Sequence, residues 1–434
     1  MNLPFLKHTL SNGLEVLLHE DHACPIVAVS VWYHVGSKNE RPGRTGFAHL
    51  FEHLMFEGSE HYDRGYFQPL QGAGAAANGS TNADRTNYWE VLPTNALELA
   101  LWMESDRMGY LLPALTEAKF SNQRDVVLNE RRQNFENRPY GLAPMAMLAA
   151  LFPADHPYHW STIGEVADLH AARLDEVREF FATFYHPANA SIALAGDIDS
   201  DRALELVRAY FEPLPAGPAV AQPTVRKPVL SPGTHLVLED GVELPRLYLG
   251  WLTPAMFAEW DAELDLAADV LANGKTSRLY RRLVFEERIA TDVSAAQNSR
   301  EMSGLAQLAA TAAPGHTLAE LERAIDEEIG RLAEEGPSAD EIARCQAQAE
   351  AQFMFQLQSV GGFGGKSDLL NAYNVFVGTP DYFERDLGRY RAVTESSLAA
   401  AVRGCLDERR VTLSVVPRGR QDLALSDAVP AVVS

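Results

Sequence analysis

The stretch Thr45-Gly-Phe-Ala-His-Leu-Phe-Glu-His-Leu-Met-Phe-Glu57 has the spacing of an amphipathic helix. His49 and His53 are four residues apart, so both imidazoles project from one helix face about a turn apart. Two ring nitrogens at that spacing can hold one Zn²⁺, and Glu52, on the same side, can reach a water on the metal without binding the metal itself. A helix with histidines on a partly buried face is the alternative, but it leaves the carboxylate between them unexplained. The stretch therefore predicts a catalytic zinc site.

This motif, with the features that follow it, resembles the pitrilysin family of zinc metallopeptidases (the inverzincins, His-x-x-Glu-His), in the half-length form of the mitochondrial processing peptidase subunits. The resemblance implies a third ligand, a glutamate on a later helix about 75 to 77 residues past the second histidine. Glu130 lies 77 residues past His53. A glutamate in a charged helix is common and exposed in many proteins, so it is the spacing from His53 that identifies Glu130 as the third ligand. The implied mechanism uses one Zn²⁺ per chain, a zinc-bound water as nucleophile and Glu52 as general base.

Two further first-half features carry over from the resemblance. The family often places a second glutamate two turns before the last ligand, where this chain has Gln123, an amide that can orient a ligand by hydrogen bonding but supplies no charge. The glycine-rich segment from Gly74 to Tyr88 resembles the family's edge strand, which pairs with the substrate backbone. Asn78, Gly79 and Ser80 are the candidate substrate contacts, and a flexible surface loop is the alternative.

In the second half, family members that complete the site carry an arginine and a tyrosine seven residues apart. The nearest analogue is Lys366 with Tyr373, after the run Gly361-Gly-Phe-Gly-Gly365. Lysine does not reproduce the bidentate contacts of arginine. Either these two residues bind substrate in a modified way, or a partner subunit supplies the pair, or the segment is an ordinary helix after a glycine-rich loop.

The family's half-length members act as dimers that enclose a chamber, which admits short or unfolded peptides. The resemblance therefore implies a zinc metalloendopeptidase in a homodimer, or in a heterodimer with a homologous subunit that carries the Arg/Tyr pair. A non-catalytic or partner-dependent scaffold subunit is the alternative function. Such members typically have a degraded motif, whereas His49, Glu52, His53 and Glu130 are all present here.

The fold class predicted from the pattern is α+β, with two homologous α/β-sandwich domains of mostly antiparallel sheet packed with helices. A strand, an acidic turn, a proline and a second strand occur both in 14–31 and in 236–250, and each half closes with a helix and a strand. The proline-rich segment between the halves cannot sustain a helix. The predicted division is a catalytic domain 1–215, a linker 216–230 and a non-catalytic domain 231–434.

Composition excludes several classes of protein. The chain has 59 acidic and 37 basic residues, a formal charge of -22, which opposes binding to nucleic acid. Its longest apolar runs are too short for a membrane span. The amino terminus lacks the pattern of a secretory signal, which favours the cytoplasm, with the periplasm as the alternative if a signal was removed. Three scattered cysteines predict reduced thiols, with no disulfide framework and no thiolate metal site.

Overall fold

The computed structural model describes residues 3–225 and 228–433, which contain two mixed sheets of six strands and fourteen α-helices. The strands are Leu6–Thr9 (β1), Glu15–Glu20 (β2), Ile26–Tyr33 (β3), Ala76–Thr81 (β4), Thr86–Pro93 (β5), Ala190–Gly196 (β6), Thr234–Asp240 (β7), Arg246–Thr253 (β8), Ala290–Asn298 (β9), Gly304–Ala312 (β10), Val411–Pro417 (β11) and Val429–Pro430 (β12). The helices are Phe47–Leu54 (α1), Phe67–Gly72 (α2), Leu97–Ala114 (α3), Glu117–Arg131 (α4), Ala143–Leu151 (α5), Val166–Ala171 (α6), Leu174–Phe184 (α7), Ser200–Phe211 (α8), Asp261–Ala272 (α9), Leu318–Glu335 (α10), Ala339–Gln356 (α11), Lys366–Val377 (α12), Phe383–Ala392 (α13) and Glu395–Cys405 (α14).

Five of the six strands in each sheet share one topology, and the outer strands differ, because β1 is antiparallel to β2 whereas β12 is parallel to β7. The first has the strand order β1-β2-β6-β3-β5-β4, and the second has β12-β7-β11-β8-β10-β9. In each sheet the strand that closes the repeat, β6 or β11, runs parallel to the first long strand and antiparallel to the next. A hairpin, β4–β5 or β9–β10, then completes the edge. The predicted α+β class with two repeated domains is confirmed by this repeated order.

The compact units are not contiguous in sequence. Among the described residues, one unit contains 3–130, 160–224 and 352–385, and the other contains 131–159, 225, 228–351 and 386–433. The predicted division into 1–215, 216–230 and 231–434 therefore differs from these units in two segments, 131–159 and 352–385.

Specific contacts attach each of these segments to its sheet. Asn371 of α12 is fully buried; its amide donates to the Ser30 backbone oxygen at 2.9 Å and accepts from the Ser191 hydroxyl at 2.7 Å, both in the first sheet. In the second unit, α5 packs closely on β8, where a Cβ on Gly250 would lie 2.4 Å from the Met147 methyl of α5.

Two faces of the first sheet carry different helices, as the alternation along β5 shows. Tyr88 points to the side of α1, where its hydroxyl donates to the Phe51 backbone oxygen at 3.3 Å. Asn87 and Trp89 point to the other side, where Asn87 donates to Asp368 of α12 at 2.9 Å. Helices α1 and α12 therefore pack on opposite faces of this sheet. None of the helices in the described ranges is long and apolar enough to cross a membrane.

Candidate metal centre and active site

Helix α1 begins at a backbone position that only glycine tolerates well. Gly46 has φ +88°, and a Cβ there would lie 2.9 Å from the Ile163 backbone oxygen. Gly46, the N-cap residue, has no side chain that could cap the helix. The buried Glu40 carboxyl instead accepts hydrogen bonds from the backbone N–H groups of Gly46 at 2.9 Å and Ala48 at 2.8 Å. Burial raises the pKa of Glu40 to about 8, against the opposing effect of these backbone donors. The start of the helix is thus fixed from within the protein.

The apolar face of α1 is buried against aromatic side chains. Phe51 lies 5.2 Å from Tyr185 and 5.5 Å from Phe181, measured between ring centroids. Phe47, Leu50 and Leu54 are also buried, as the helical periodicity predicts. With this face held in the core, the histidines on the other side of the helix have a fixed direction.

His49, His53 and Glu130 come together as the sequence predicts. Oε2 of Glu130 lies 3.6 Å from Nε2 of His49 and 3.3 Å from Nε2 of His53. One ligand atom from each of the three residues lies within 4.8 Å of the others, and the described residues contain no other such group of histidine, cysteine and carboxylate.

These separations are compatible with three side chains that share one zinc ion. Two ligands that are each 2.0–2.1 Å from a tetrahedral Zn²⁺ lie about 3.3–3.4 Å apart. Two imidazole nitrogens and one carboxylate oxygen also form a ligand set with room for a fourth, open position, the composition of catalytic zinc sites. The residues present therefore fit Zn²⁺.

Electrostatics and burial favour the neutral form of one of the two imidazoles, that of His49. Burial, and then the nearby charge of His53, lower the pKa of His49 to about 4, so its imidazole is neutral at physiological pH. Burial also lowers the pKa of His53, but contacts with Glu130 and the charge of Glu52 outweigh it and raise the value overall. Metal ligation requires neutral imidazole, which His49 already is.

Glu52 lies beside this group without being one of its ligands. Burial raises the pKa of Glu52 above its ordinary value, while the nearby Thr81 hydroxyl, which also reaches Oγ1 of Thr86 at 3.4 Å, and the charge of His53 oppose the rise. Thr81 is the last residue of β4, so the carboxylate lies beside the end of the edge strand. A desolvated carboxylate beside the ligands is placed to act as a base.

Gln123 also lies where the resemblance predicts it. Its side chain hydrogen-bonds to His53, and its Nε2 donates to Oε1 of Glu57. The amide therefore touches a candidate ligand on one side and a carboxylate on the other.

The segment predicted to bind substrate forms the free edge of the first sheet. Within the part of the chain that the structure describes, β4 pairs with β5 alone, and the backbone N–H of Asn82 donates to the Arg85 oxygen at 3.0 Å just beyond the strand. Because hydrogen-bonded pairs alternate along an antiparallel ladder, Ser80 and Asn78 direct their backbone groups toward β5. Ala77, Gly79 and Thr81 then direct theirs toward the free edge.

Among the three predicted contacts, Gly79 is the one whose backbone faces outward. Its N–H donates to the side-chain oxygen of Asn78 at 2.8 Å, which an incoming strand would have to replace. The Ser80 hydroxyl is bonded to Asn87 at 2.6 Å on the opposite face.

The structure does not bring Lys366 and Tyr373 to the metal group of this chain. Both belong to α12, on the face of the sheet opposite α1. Lys366 forms an ion pair with Asp21, and Tyr373 is buried against Tyr382 with ring centroids 5.6 Å apart. Residues seven apart on a helix share one face, but this spacing does not determine which part of the protein that face contacts.

Three residues of the site were not predicted from the sequence. The Thr81 hydroxyl lies beside the Glu52 carboxylate, and Glu57 accepts a hydrogen bond from Gln123. Glu40 accepts from the backbone N–H groups at the start of α1. Glu57 lies one turn after His53 in the sequence, but that position does not show that its side chain contacts Gln123. No local pattern marks Thr81 or Glu40, because each contact joins elements that are separate along the chain.

The sequence matches family profiles over most of its length. Residues 15–158 match the profile described as insulinase (peptidase family M16), and residues 171–349 match the one described as peptidase M16 inactive domain. The chain belongs to peptidase family M16. The predicted resemblance is thereby confirmed, and the zinc-binding motif lies within the first of the two matches.

Bacterial relatives of this M16 chain are named zinc proteases. Zinc protease PqqE of Helicobacter pylori is 29% identical over 379 residues, covering 86% of this chain and 85% of that protein. An uncharacterised zinc protease of Streptomyces coelicolor is 26% identical over 434 residues, covering 98% of this chain and 92% of that protein. These names support membership of a zinc protease family.

Solved structures share the M16 fold. The crystal structure of a protease from Helicobacter pylori has a TM-score of 0.89 at 26% identity, covering 96% of this chain and 100% of that one. A peptidase M16 inactive domain from Pseudomonas fluorescens has a TM-score of 0.85 at 18% identity, with coverage of 99% and 100%. The periplasmic protease PqqL from Escherichia coli has a TM-score of 0.77 at 19% identity and is covered over 50% of its length. The last two show the fold alone.

Proposed function

We propose that this M16 chain is a zinc-dependent endopeptidase that hydrolyses short or unfolded peptides. The observation that carries the proposal is the group of His49, His53 and Glu130, whose ligand atoms lie within 4.8 Å of one another, with Glu52 beside it. In this proposal His49, His53 and Glu130 would hold one Zn²⁺ per chain. When bound, Zn²⁺ polarises the scissile carbonyl and acidifies water.

Glu52 acts as the general base in this proposal. Its raised pKa reflects a carboxylate removed from bulk water, which strengthens its tendency to accept a proton from the attacking water. The protonated carboxyl then donates to the leaving amine. The Thr81 hydroxyl orients the carboxylate toward the end of the strand along which the peptide lies.

The preference for short or unfolded peptides follows from the free edge of β4. A substrate that pairs with the outward groups of Ala77, Gly79 and Thr81 must present several consecutive backbone groups in extended form. Folded proteins have these groups already paired. As in other half-length members of the family, we expect the dimer to enclose the site in a chamber, which excludes folded proteins by size as well.

Replacement of Glu52 by glutamine tests this assignment. The Glu52→Gln variant is expected to bind one zinc per chain while cleavage of an unstructured fluorogenic peptide falls by about 10²–10⁴-fold, the range that general-base catalysis contributes. Glu60→Gln, an exposed glutamate near the same helix, is the matched control and should leave both unchanged. Normal turnover by Glu52→Gln would remove Glu52 from the role of base.

A second candidate function is a zinc-bearing subunit that cleaves only with a distinct homologous partner. The observation in its favour is the engagement of Lys366 with Asp21 and the burial of Tyr373, which leave this chain without an available Arg/Tyr pair. A heterodimer would supply that pair from the other subunit. The purified chain alone separates the two: peptide cleavage supports a self-sufficient homodimer, and stoichiometric zinc without cleavage supports the partner-dependent form.

A further inference from the structure

Two more side chains, Gln123 and Glu57, lie next to the metal ligands, on or just beyond the two helices that carry those ligands. Gln123 lies on α4 two turns before Glu130, on the same helix face. Glu57 follows His53 by four residues, just past the end of α1. The pair is therefore anchored to the same two elements as the ligands themselves.

The contacts of Gln123 define which way its amide points. Its Nε2 donates to Oε1 of Glu57, and an ionised carboxylate can only accept, so the amide oxygen is left for the other neighbour. That neighbour is His53, to which the side chain is hydrogen-bonded. Because Nε2 of His53 faces Glu130, Nδ1 is the ring nitrogen available to donate to the amide oxygen.

A hydrogen bond at Nδ1 determines what the other nitrogen can do. A ring that carries its proton on Nδ1 presents the lone pair of Nε2, and partners of this kind fix both the tautomer and the plane of a metal-binding imidazole. His49 has no such support, since its Nδ1 is buried without a hydrogen-bond partner among the described residues. Of the two histidines, His53 is therefore the one whose ring a neighbouring side chain can orient.

We propose that Gln123 and Glu57 form a positioning pair, in which Glu57 orients the amide of Gln123 and the amide holds His53 in the tautomer that presents Nε2 to the metal. The inference rests on the proposed function, because it assigns His53 as a zinc ligand. It differs from a directly contacting carboxylate in that the negative charge lies one side chain further from the ring. Glu57 acts on the metal only through Gln123.

A double-mutant cycle tests this dependence without measuring cleavage. Zinc affinity is determined by competition with a chelating dye for the wild type, Gln123→Met, Glu57→Leu and the double variant. Gln123→Met is expected to weaken zinc binding by about 10–100-fold, the usual effect of removing such a partner. Glu57→Leu should weaken it in the wild-type background, and in the Gln123→Met background it should add less than about a threefold further change, because contacting residues are not additive. The exposed amide Asn122 on the same helix provides the control Asn122→Met, which should leave affinity unchanged.

A charge exchange provides the second arm. Gln123→Glu alone sets two carboxylates against each other and is expected to weaken zinc binding or loosen the local fold. Adding Glu57→Gln restores a carboxylate–amide pair in reverse order and should return affinity to within about threefold of wild type, since one partner again donates and the other accepts. The visible spectrum of the Co²⁺-substituted protein should change in Gln123→Met and return in the exchanged variant.

The outcomes separate this pair from the proposed function. Additive effects of Gln123→Met and Glu57→Leu, or an exchanged variant no better than Gln123→Glu, would overturn the pair while a zinc-binding wild type leaves the site intact. A wild-type chain that binds no stoichiometric zinc would overturn both.

Discussion

The contact between the Thr81 hydroxyl and Glu52 gives a quantitative prediction about the pH dependence of cleavage. Burial raises the pKa of Glu52, and the Thr81 hydroxyl opposes that rise because it stabilises the carboxylate. Only the carboxylate can accept a proton, so activity is lost as the pH falls through the pKa of Glu52. Removal of the donor raises this pKa further and moves the acid limb of the profile to higher pH.

The size of the shift follows from the energy of one hydrogen bond. A hydrogen bond to a charged group contributes about 1.5–3 kcal/mol, and one pKa unit corresponds to about 1.4 kcal/mol. The full value would give about one to two units. Because Glu52 is only partly shielded from solvent, we expect Thr81→Val to move the acid limb by about one pH unit.

The assay is kcat/KM for an unstructured peptide between pH 4.5 and 9, at saturating zinc and with any partner subunit the chain requires. Thr81→Ser keeps the hydroxyl and should keep the wild-type profile. Ser80→Ala is the matched control on the same strand, because its hydroxyl lies on the other face with Asn87. An acid limb that does not move in Thr81→Val would refute the placement of Thr81 as the donor that holds the base.

Two further predictions concern the ligand set and an unrelated acidic cluster. Glu130→Gln should lower bound zinc to well below one per chain by elemental analysis, whereas Glu136→Gln, at the end of the π-helix Arg132–Glu136 that follows α4, should not. Undiminished zinc in the first variant would point to a different third ligand. In the second unit, burial raises the pKa of Asp265 to about 7, helped by the charge of Asp261 and opposed by a hydrogen bond from Tyr390. Its folded state therefore binds the proton more tightly than the unfolded chain, and the stability from this group is present near pH 4 and lost as the pH rises to about 7. Asp265→Asn should accordingly have a Tm equal to wild type near pH 4 and higher than wild type at pH 8, and a difference that does not vary with pH would contradict this.

Sequence patterns identified the parts of the site that lie on one element. The four-residue spacing of His49 and His53 fixes their common face because helix geometry is regular. Glu130 could be found only through the family's spacing, since a carboxylate in a charged helix is common. Thr81 and Glu57 were out of reach, because each acts across elements whose packing no local pattern specifies.

The same reason explains where the fold departed from expectation. The repeated strand order was visible because each repeat contains the same local pattern of strands and turns. The placement of 352–385 with the first sheet depends on side chains such as Asn371, which complete hydrogen bonds with Ser30 and Ser191. An asparagine inside a helix gives no sign of which sheet it will contact. For the same reason the sequence left three alternatives open for Lys366, on the same helix, and could not show its ion pair with Asp21.

The coordination of zinc in the purified, zinc-loaded chain tests the central claim most directly, because it depends on neither substrate nor partner. X-ray absorption at the zinc edge, combined with elemental analysis, should show one zinc per chain bound by two imidazoles at about 2.0–2.1 Å and by oxygen ligands, with no sulfur. His53→Ala should lose the metal or one imidazole. Fewer than one zinc per chain, a sulfur ligand at about 2.3 Å, or an unchanged environment in His53→Ala would contradict the assignment of His49, His53 and Glu130 as the metal site.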